Sequence, residues 1–166
     1  MSTVPQVLIV MGSDSDLPVM QEAADMLTNF AVPWEMRISS AHRSPGRTMT
    51  LASEAAARGI KIIIAGAGMA AHLAGVVAAK TTLPVIGVPM PGGALNGVDA
   101  LYSTVQMPAG IPVATMAIGK AGAKNAGIFA VQILALSDNH LSEALTEYRH
   151  EMDRECAQKD AAIQAS

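Results

Sequence analysis

A chain of 166 residues with 51% apolar residues, 15% charged residues and a net charge of −3 is one domain by size, able to bury a single substantial core. It is richer in apolar and poorer in charged residues than an average soluble domain, so part of the apolar excess is expected to face other subunits. Two Phe, two Tyr and one Trp on an acidic chain supply neither a basic stripe nor stacking platforms, which argues against nucleic acid as a partner.

The lone cysteine, Cys156, has no internal disulfide partner, and the opening MSTVPQ lacks the basic segment and cleavage site of a secretory signal. A reducing, cytoplasmic setting is expected. The run from Ile62 to Ala79 is broken only by His72, but Gly66, Gly68 and Gly75 argue against a membrane helix. It reads better as a buried strand turning into a small-residue helix.

Apolar runs at Val7 to Met11, Glu35 to Ile38, Ile60 to Ala65, Pro84 to Val88 and Ile111 to Met116 predict five strands. Their spacing leaves room for a helix in each interval, the rhythm of repeated βαβ units and a parallel sheet covered on both faces. Asp16 with Pro18 opens a helix whose apolar positions Val19, Met20, Ala23, Met26, Leu27 and Phe30 share one face. Ser44-Pro45 reads as a cap and first-turn pair for a helix that Gly59 ends. A third helix is expected over about 70–80. The segment Ala121 to Leu136 is apolar nearly all round, as in helices buried on several sides. A last helix starts near Ser137 or Asp138 and carries a stripe of Leu141, Ala144, Leu145, Tyr148 and Met152. The tail after Lys159 is a candidate for disorder.

Ligands of open parallel sheets bind beyond the carboxyl ends of the strands, at the switch in winding direction. Those ends read Gly12-Ser13-Asp14-Ser15-Asp16, Ser39-Ser40-Ala41-His42-Arg43-Ser44 and Gly66-Ala67-Gly68-Met69-Ala70-Ala71-His72, so polar side chains cluster there. Strand 4 runs into Pro89 to Gly97, a Gly/Pro-rich loop long enough to cover a ligand. The first loop offers hydroxyls and backbone N–H groups to an anion. Asp14 and Asp16 would repel a phosphate, so one of them is suited to ribose hydroxyls while Ser13 faces the anion; Asp16 could equally be a helix cap. His42-Arg43 is the strongest local constellation, a proton carrier beside a cation shaped to grip phosphate. His72, in the first turn of an apolar helix, is either a site residue or a group satisfying backbone.

Three other motifs fail. Gly66 to Ala71 fits GxGxxA, but Val88-Pro89 stands where a dinucleotide site needs an acidic residue. Gly119-Lys120 lacks the leading glycine and the Ser/Thr of a P-loop. His42, His72, His140 and His150 show no metal-ligand spacing.

Taken together, GSDSD at 12–16, SAHR at 40–43, AGAGMAAHLAG at 65–75, LPVIGVP at 83–89, and VQMPAGIPVAT with AIGKAGAKNAG across 105–127 resemble the N5-carboxyaminoimidazole ribonucleotide mutases of bacterial purine synthesis over roughly residues 6–137. The resemblance implies a flavodoxin-like three-layer αβα fold with a five-stranded parallel sheet. It also implies a single catalytic domain over 1–166, with a core at about 6–137 and a C-terminal helix at about 138–158 that helps join subunits into an octamer. It makes His42 the general acid/base and Ser13, Asp16 and Arg43 ligands of ribose and phosphate, with Ser40 and His72 beside them. Gly66, Gly68, Ala70 and Ala71 either let backbone approach the ring and leave room for CO2 or equally serve close packing, Gly68 counting among the substrate ligands. No ATP, metal or organic cofactor is implied. Relatives commonly have His-Leu-Pro-Gly where this chain has His72-Leu73-Ala74-Gly75, and the loop opened by Pro91-Gly92-Gly93 varies among them. The rival readings are a carboxylase using free CO2 and aminoimidazole ribonucleotide, and a non-catalytic flavodoxin-like ribonucleotide-binding module.

Overall fold

The computed structural model describes residues 4–165. Strands β1 (Val7–Met11), β2 (Trp34–Ile38), β3 (Ile62–Ala67), β4 (Val85–Pro89) and β5 (Ala114–Thr115) form one sheet in the order β2-β1-β3-β4-β5, with every pairing parallel. Helices α1 (Leu17–Asn29), α2 (Pro45–Glu54), α3 (Leu73–Ala78), α4 (Val98–Val105), α5 (Lys120–Ala135) and α6 (Asn139–Gln164) fill the intervals and the end of the chain. The fold is the flavodoxin-like α/β arrangement. The Ile62 to Ala79 run divides into β3 and α3, and among the described residues no helix is long and apolar enough to cross a membrane.

β1 is buried at every position because it lies between β2 and β3 with helices over both faces. Side chains alternate across the sheet: Leu8, Val10, Ile63 and Ala65 join Ala52, Leu73 and Val77, from α2 and α3, in one apolar cluster. On the other face α5 approaches α1 so closely that a Cβ added to Gly127 would lie 2.8 Å from the Ala23 carbonyl.

Several boundaries differ from the sequence reading. β2 is an edge strand and leaves Ile38 46% exposed, so it is not covered on both faces. β3 starts two residues late, and the fifth strand shrinks to Ala114–Thr115. α3 starts only at Leu73, because the N–H groups of Ala71 and His72 turn back to Met69 O and Ala70 O, two residues away, in tight turns and not a helix. α4 occupies a stretch for which no helix was expected. Gly97 precedes it at φ 88°, where a side chain would also strike the Met90 carbonyl at 2.8 Å. α5 shows a polar side at Lys124, Asn125 and Gln132 and leaves Ile128, Phe129 and Ile133 half-buried.

The chain divides into two compact units, residues 1–130 and 131–166. The first holds the sheet, α1 to α4 and most of α5. The second holds the end of α5 and α6. Asp138 caps α6, accepting from the N–H groups of His140 and Leu141. The helix continues through Gln164 where a disordered tail was a candidate; Arg154 joins Glu147 and Glu151, and Lys159 joins Glu155, along its surface.

Candidate active site

The sheet ladder runs one residue past the strand ends. Gly12 N–H donates to Gly66 O at 3.2 Å, Ser39 N–H to Met11 O at 2.9 Å and Met90 N–H to Ala67 O at 2.9 Å. The ends of β1 to β4 are therefore held side by side at the switch between β1 and β3. There they wall a cavity of about 560 Å³, a volume suited to a small ligand.

The loop after β1 is a single 3-10 turn, Asp14–Asp16, closed by a reciprocal cap. Ser13 Oγ accepts from Ser15 N–H at 3.4 Å, and Asp16 Oδ2 accepts from Ser13 N–H at 3.1 Å. Asp16 thus closes this turn, and its side chain makes no capping bond to α1. Burial pushes its carboxyl above the ordinary value of 3.8, against the Ser13 N–H and the Arg43 charge, which pull it down. Of the two carboxylates only Asp16 lines the cavity; Asp14 is exposed and accepts from Ser13 Oγ at 3.0 Å.

Hydroxyls build the loop after β2. Ser44 Oγ donates to Ser40 O at 3.1 Å and accepts from Ser40 N–H at 3.0 Å, while Ser40 Oγ accepts from Arg43 N–H at 3.1 Å. The Ser44 side chain therefore fastens this turn instead of capping α2. Beneath it Ser39 and Thr48, both buried, share a hydrogen bond of 2.8 Å. The resulting turn carries His42 and Arg43 at its rim, and Arg43 Nη2 donates to Gly12 O at 2.8 Å, tying the second loop to the first.

The loop after β3 bends at Met69. Ala71 N–H donates to Met69 O and His72 N–H to Ala70 O, each at 2.8 Å. These tight turns bring His72 against His42, with Nδ1 of His72 2.5 Å from Nε2 of His42, ring centroids 4.8 Å apart and planes at 86°. One nitrogen of the pair carries the hydrogen and the other accepts it, so each ring fixes the other's tautomer.

Ser13, Asp16, Ser40, His42, Arg43, Gly68 and His72, all singled out from the sequence, line this one cavity. Gly66 and Ala71 do not line it. Gly66 is buried where an added Cβ would meet Met20 Sδ at 2.5 Å and Met90 Cε at 2.9 Å, so its smallness serves packing. The sequence reading missed Met69, Leu73 and Met90, which supply apolar wall. Only the left-handed Met69 backbone marks this segment as unusual, and sequence does not display it. The cavity therefore pairs an exposed guanidinium with two imidazoles and a carboxyl whose pKa burial raises. It can grip an anion and pass a proton over a short distance.

The sequence profile described as AIR carboxylase matches residues 6–155. The N5-carboxyaminoimidazole ribonucleotide mutase of Pyrococcus abyssi is 57% identical over 150 residues, covering 90% of this chain and 85% of that protein. The phosphoribosylaminoimidazole carboxylase of Candida glabrata is 53% identical over 161 residues, 97% of this chain but 28% of that much longer protein. The crystal structure of Treponema denticola PurE superposes with a TM-score of 0.85 at 29% identity, covering 95% of this chain and 97% of that one.

Proposed function

The chain belongs to the AIR carboxylase family, and from that membership we propose that it converts N5-carboxyaminoimidazole ribonucleotide into 4-carboxy-5-aminoimidazole ribonucleotide in de novo purine biosynthesis. It is then an isomerase, moving a carboxyl group within one molecule. The observation that carries this reading is the hydrogen-bonded His42 and His72 pair beside Arg43 in a single cavity, in a chain whose relatives of matching length are named for that mutase activity.

The chemistry asks little beyond enclosure and one mobile proton. As the carbamate C–N bond breaks, CO2 leaves and the exocyclic nitrogen takes a proton. Ring carbon C4 then attacks the confined CO2, and loss of the C4 proton restores aromaticity. One proton is taken up and one returned, so a single imidazole can serve both steps. His42 is the proton carrier in this scheme, since imidazole is the side chain best suited to both giving and taking a proton in neutral solution. His72 holds that ring through the Nδ1 contact. Confinement takes the place of activation. Arg43 and Ser13 bind the phosphate, Asp16 the ribose hydroxyls, Ser40 supports that region, and Gly68 lets backbone reach the ring. The scheme calls for no ATP, metal or organic cofactor.

The same reading makes residues 1–166 one catalytic domain of a cytoplasmic homo-oligomer, an octamer, with neither nucleic acid nor membrane as partner. Its support is the resemblance together with composition and exposed apolar side chains such as Leu136, 87% exposed.

The decisive experiment supplies purified protein with N5-carboxyaminoimidazole ribonucleotide without ATP or added bicarbonate, and separately with aminoimidazole ribonucleotide and bicarbonate. Efficient conversion in the first arm is expected. Product only in the second arm assigns the CO2-dependent carboxylase instead, and ribonucleotide binding without product in either assigns a binding module.

A further inference from the structure

Ser103 lies on α4, outside the cavity lining and outside every motif at the strand ends. Its hydroxyl donates back along its own helix to Asp99 O at 2.7 Å, the shortest of its contacts. That bond turns the oxygen's lone pairs outward, and they accept the N–H of Ala71 at 3.1 Å, across 32 residues of sequence. Ser103 Oγ also sits 3.3 Å from Met69 O. The hydroxyl therefore touches both ends of the bend that precedes His72.

That bend needs an external hold. Met69 is a non-glycine residue at φ 52°, a strained conformation that persists only where the surroundings over-determine it. Ala71 is 1% exposed, so its N–H has no recourse to water; it bonds Met69 O two residues back at 2.8 Å and the Ser103 hydroxyl at 3.1 Å. Both features converge on Ser103. The next residue is His72, whose Nδ1 must stay within hydrogen-bond reach of His42.

We propose that Ser103 is a positioning residue: from α4 its hydroxyl holds the Met69 to Ala71 bend so that His72 stays seated against His42. This rests on the proposed role of the histidine pair in carboxyl transfer. A hydroxyl on a helix packed beside β4 and β5 thereby governs a ring that it does not touch.

The test compares purified full-length protein with Ser103→Ala and Ser103→Thr. Ser103→Ala is expected to keep KM within about threefold while kcat falls on the order of 10-fold, the scale of a sub-ångström misplacement of a reacting group. Ser103→Thr retains the hydroxyl and is expected to recover most of that loss. Nitrogen-15 spectra of labelled histidine read the pair directly: the His42 and His72 resonances shift together in Ser103→Ala and return in Ser103→Thr. Parental kcat with unmoved imidazole resonances in Ser103→Ala overturns the proposal. If Ser103→Ala does not fold, Ser103→Cys, similar in size but a weak acceptor, carries the same two readouts. If the parent protein lacks mutase activity, the functional reading fails, while the imidazole spectra still decide the role of Ser103.

Discussion

Nε2 of His42 and Nδ1 of His72 lie 2.5 Å apart although 30 positions separate the residues in sequence. The contact exists because β1 pairs with both β2 and β3, so the loops that follow β2 and β3 converge over one strand end. Each ring holds the other in place through this contact, and loss of either frees the other.

His42→Asn is expected to leave the fold and ribonucleotide binding largely intact while lowering turnover by ~10²-fold or more, the usual loss for a general acid/base. His72→Asn should lower turnover less, since it removes the partner that holds the ring and leaves the carrier. Steady-state kinetics across pH 5–9 check both. Parental turnover in His42→Asn excludes it as the proton carrier.

Arg43→Ala is expected to act mainly on affinity. The guanidinium is exposed and anchored by its bond to Gly12 O at 2.8 Å, so it is fixed before substrate arrives and grips phosphate alike in ground and transition states. KM should rise about tenfold or more with a smaller change in kcat. A collapsed kcat with unchanged KM contradicts this role.

Asp16→Asn separates stability from binding. Burial raises the folded-state pKa of Asp16 above its ordinary 3.8. The stability associated with that shift is fully present below the unfolded value and is lost as pH rises through the folded value. At neutral pH the ionised carboxylate is therefore a burden on the fold that asparagine removes, while asparagine keeps an oxygen for Ser13 N–H. Thermal unfolding should show Asp16→Asn melting above the parent at pH 7, with the difference shrinking toward pH 3.8, and calorimetry should show weaker ribonucleotide binding. A lower melting temperature at pH 7 counts against the burial argument.

Gly66→Ala is expected to destabilise the protein by about 1–3 kcal/mol through overpacking, because its Cβ would meet Met20 Sδ at 2.5 Å and Met90 Cε at 2.9 Å. Met20 is fully buried, so its side chain has little room to shift, whereas Met90 lines the cavity and can give way more readily. Gly46→Ala, in α2 with nothing within 4 Å of the new atom, serves as control and should be neutral or stabilising. Denaturant titration distinguishes the two.

Light scattering at micromolar concentration is expected to give a particle of roughly eight times the 17.1 kDa chain that loses activity on dilution. Tyr102 and Val105 on α4 and Met152 and Ile163 on α6 are exposed apolar side chains that contacts between copies would cover. A fully active species of about 17 kDa rules the assembly out.

The layer architecture was legible in the pattern of residue types, and so were the strand ends at which polar side chains gather. Buried parallel strands must be apolar, so VLIVM at β1 and the isoleucines of β3 declare themselves. Outside the edge strand β2, which carries Glu35 and Arg37, polar residues gather where strands end, so Ser13, Asp16, Ser40, His42, Arg43 and His72 stood out there. α4 escaped notice because eight residues after a Gly/Pro-rich loop carry too little periodicity to announce a helix. Tertiary structure alone decided which strand ends meet, and so which of two aspartates faces the cavity and which two histidines touch. It also decided that Gly66 serves packing, that Met69 is left-handed, and that Ser103 reaches Ala71. Those relationships join residues far apart in the chain through strand order and backbone bends, which a local pattern of residue types does not encode.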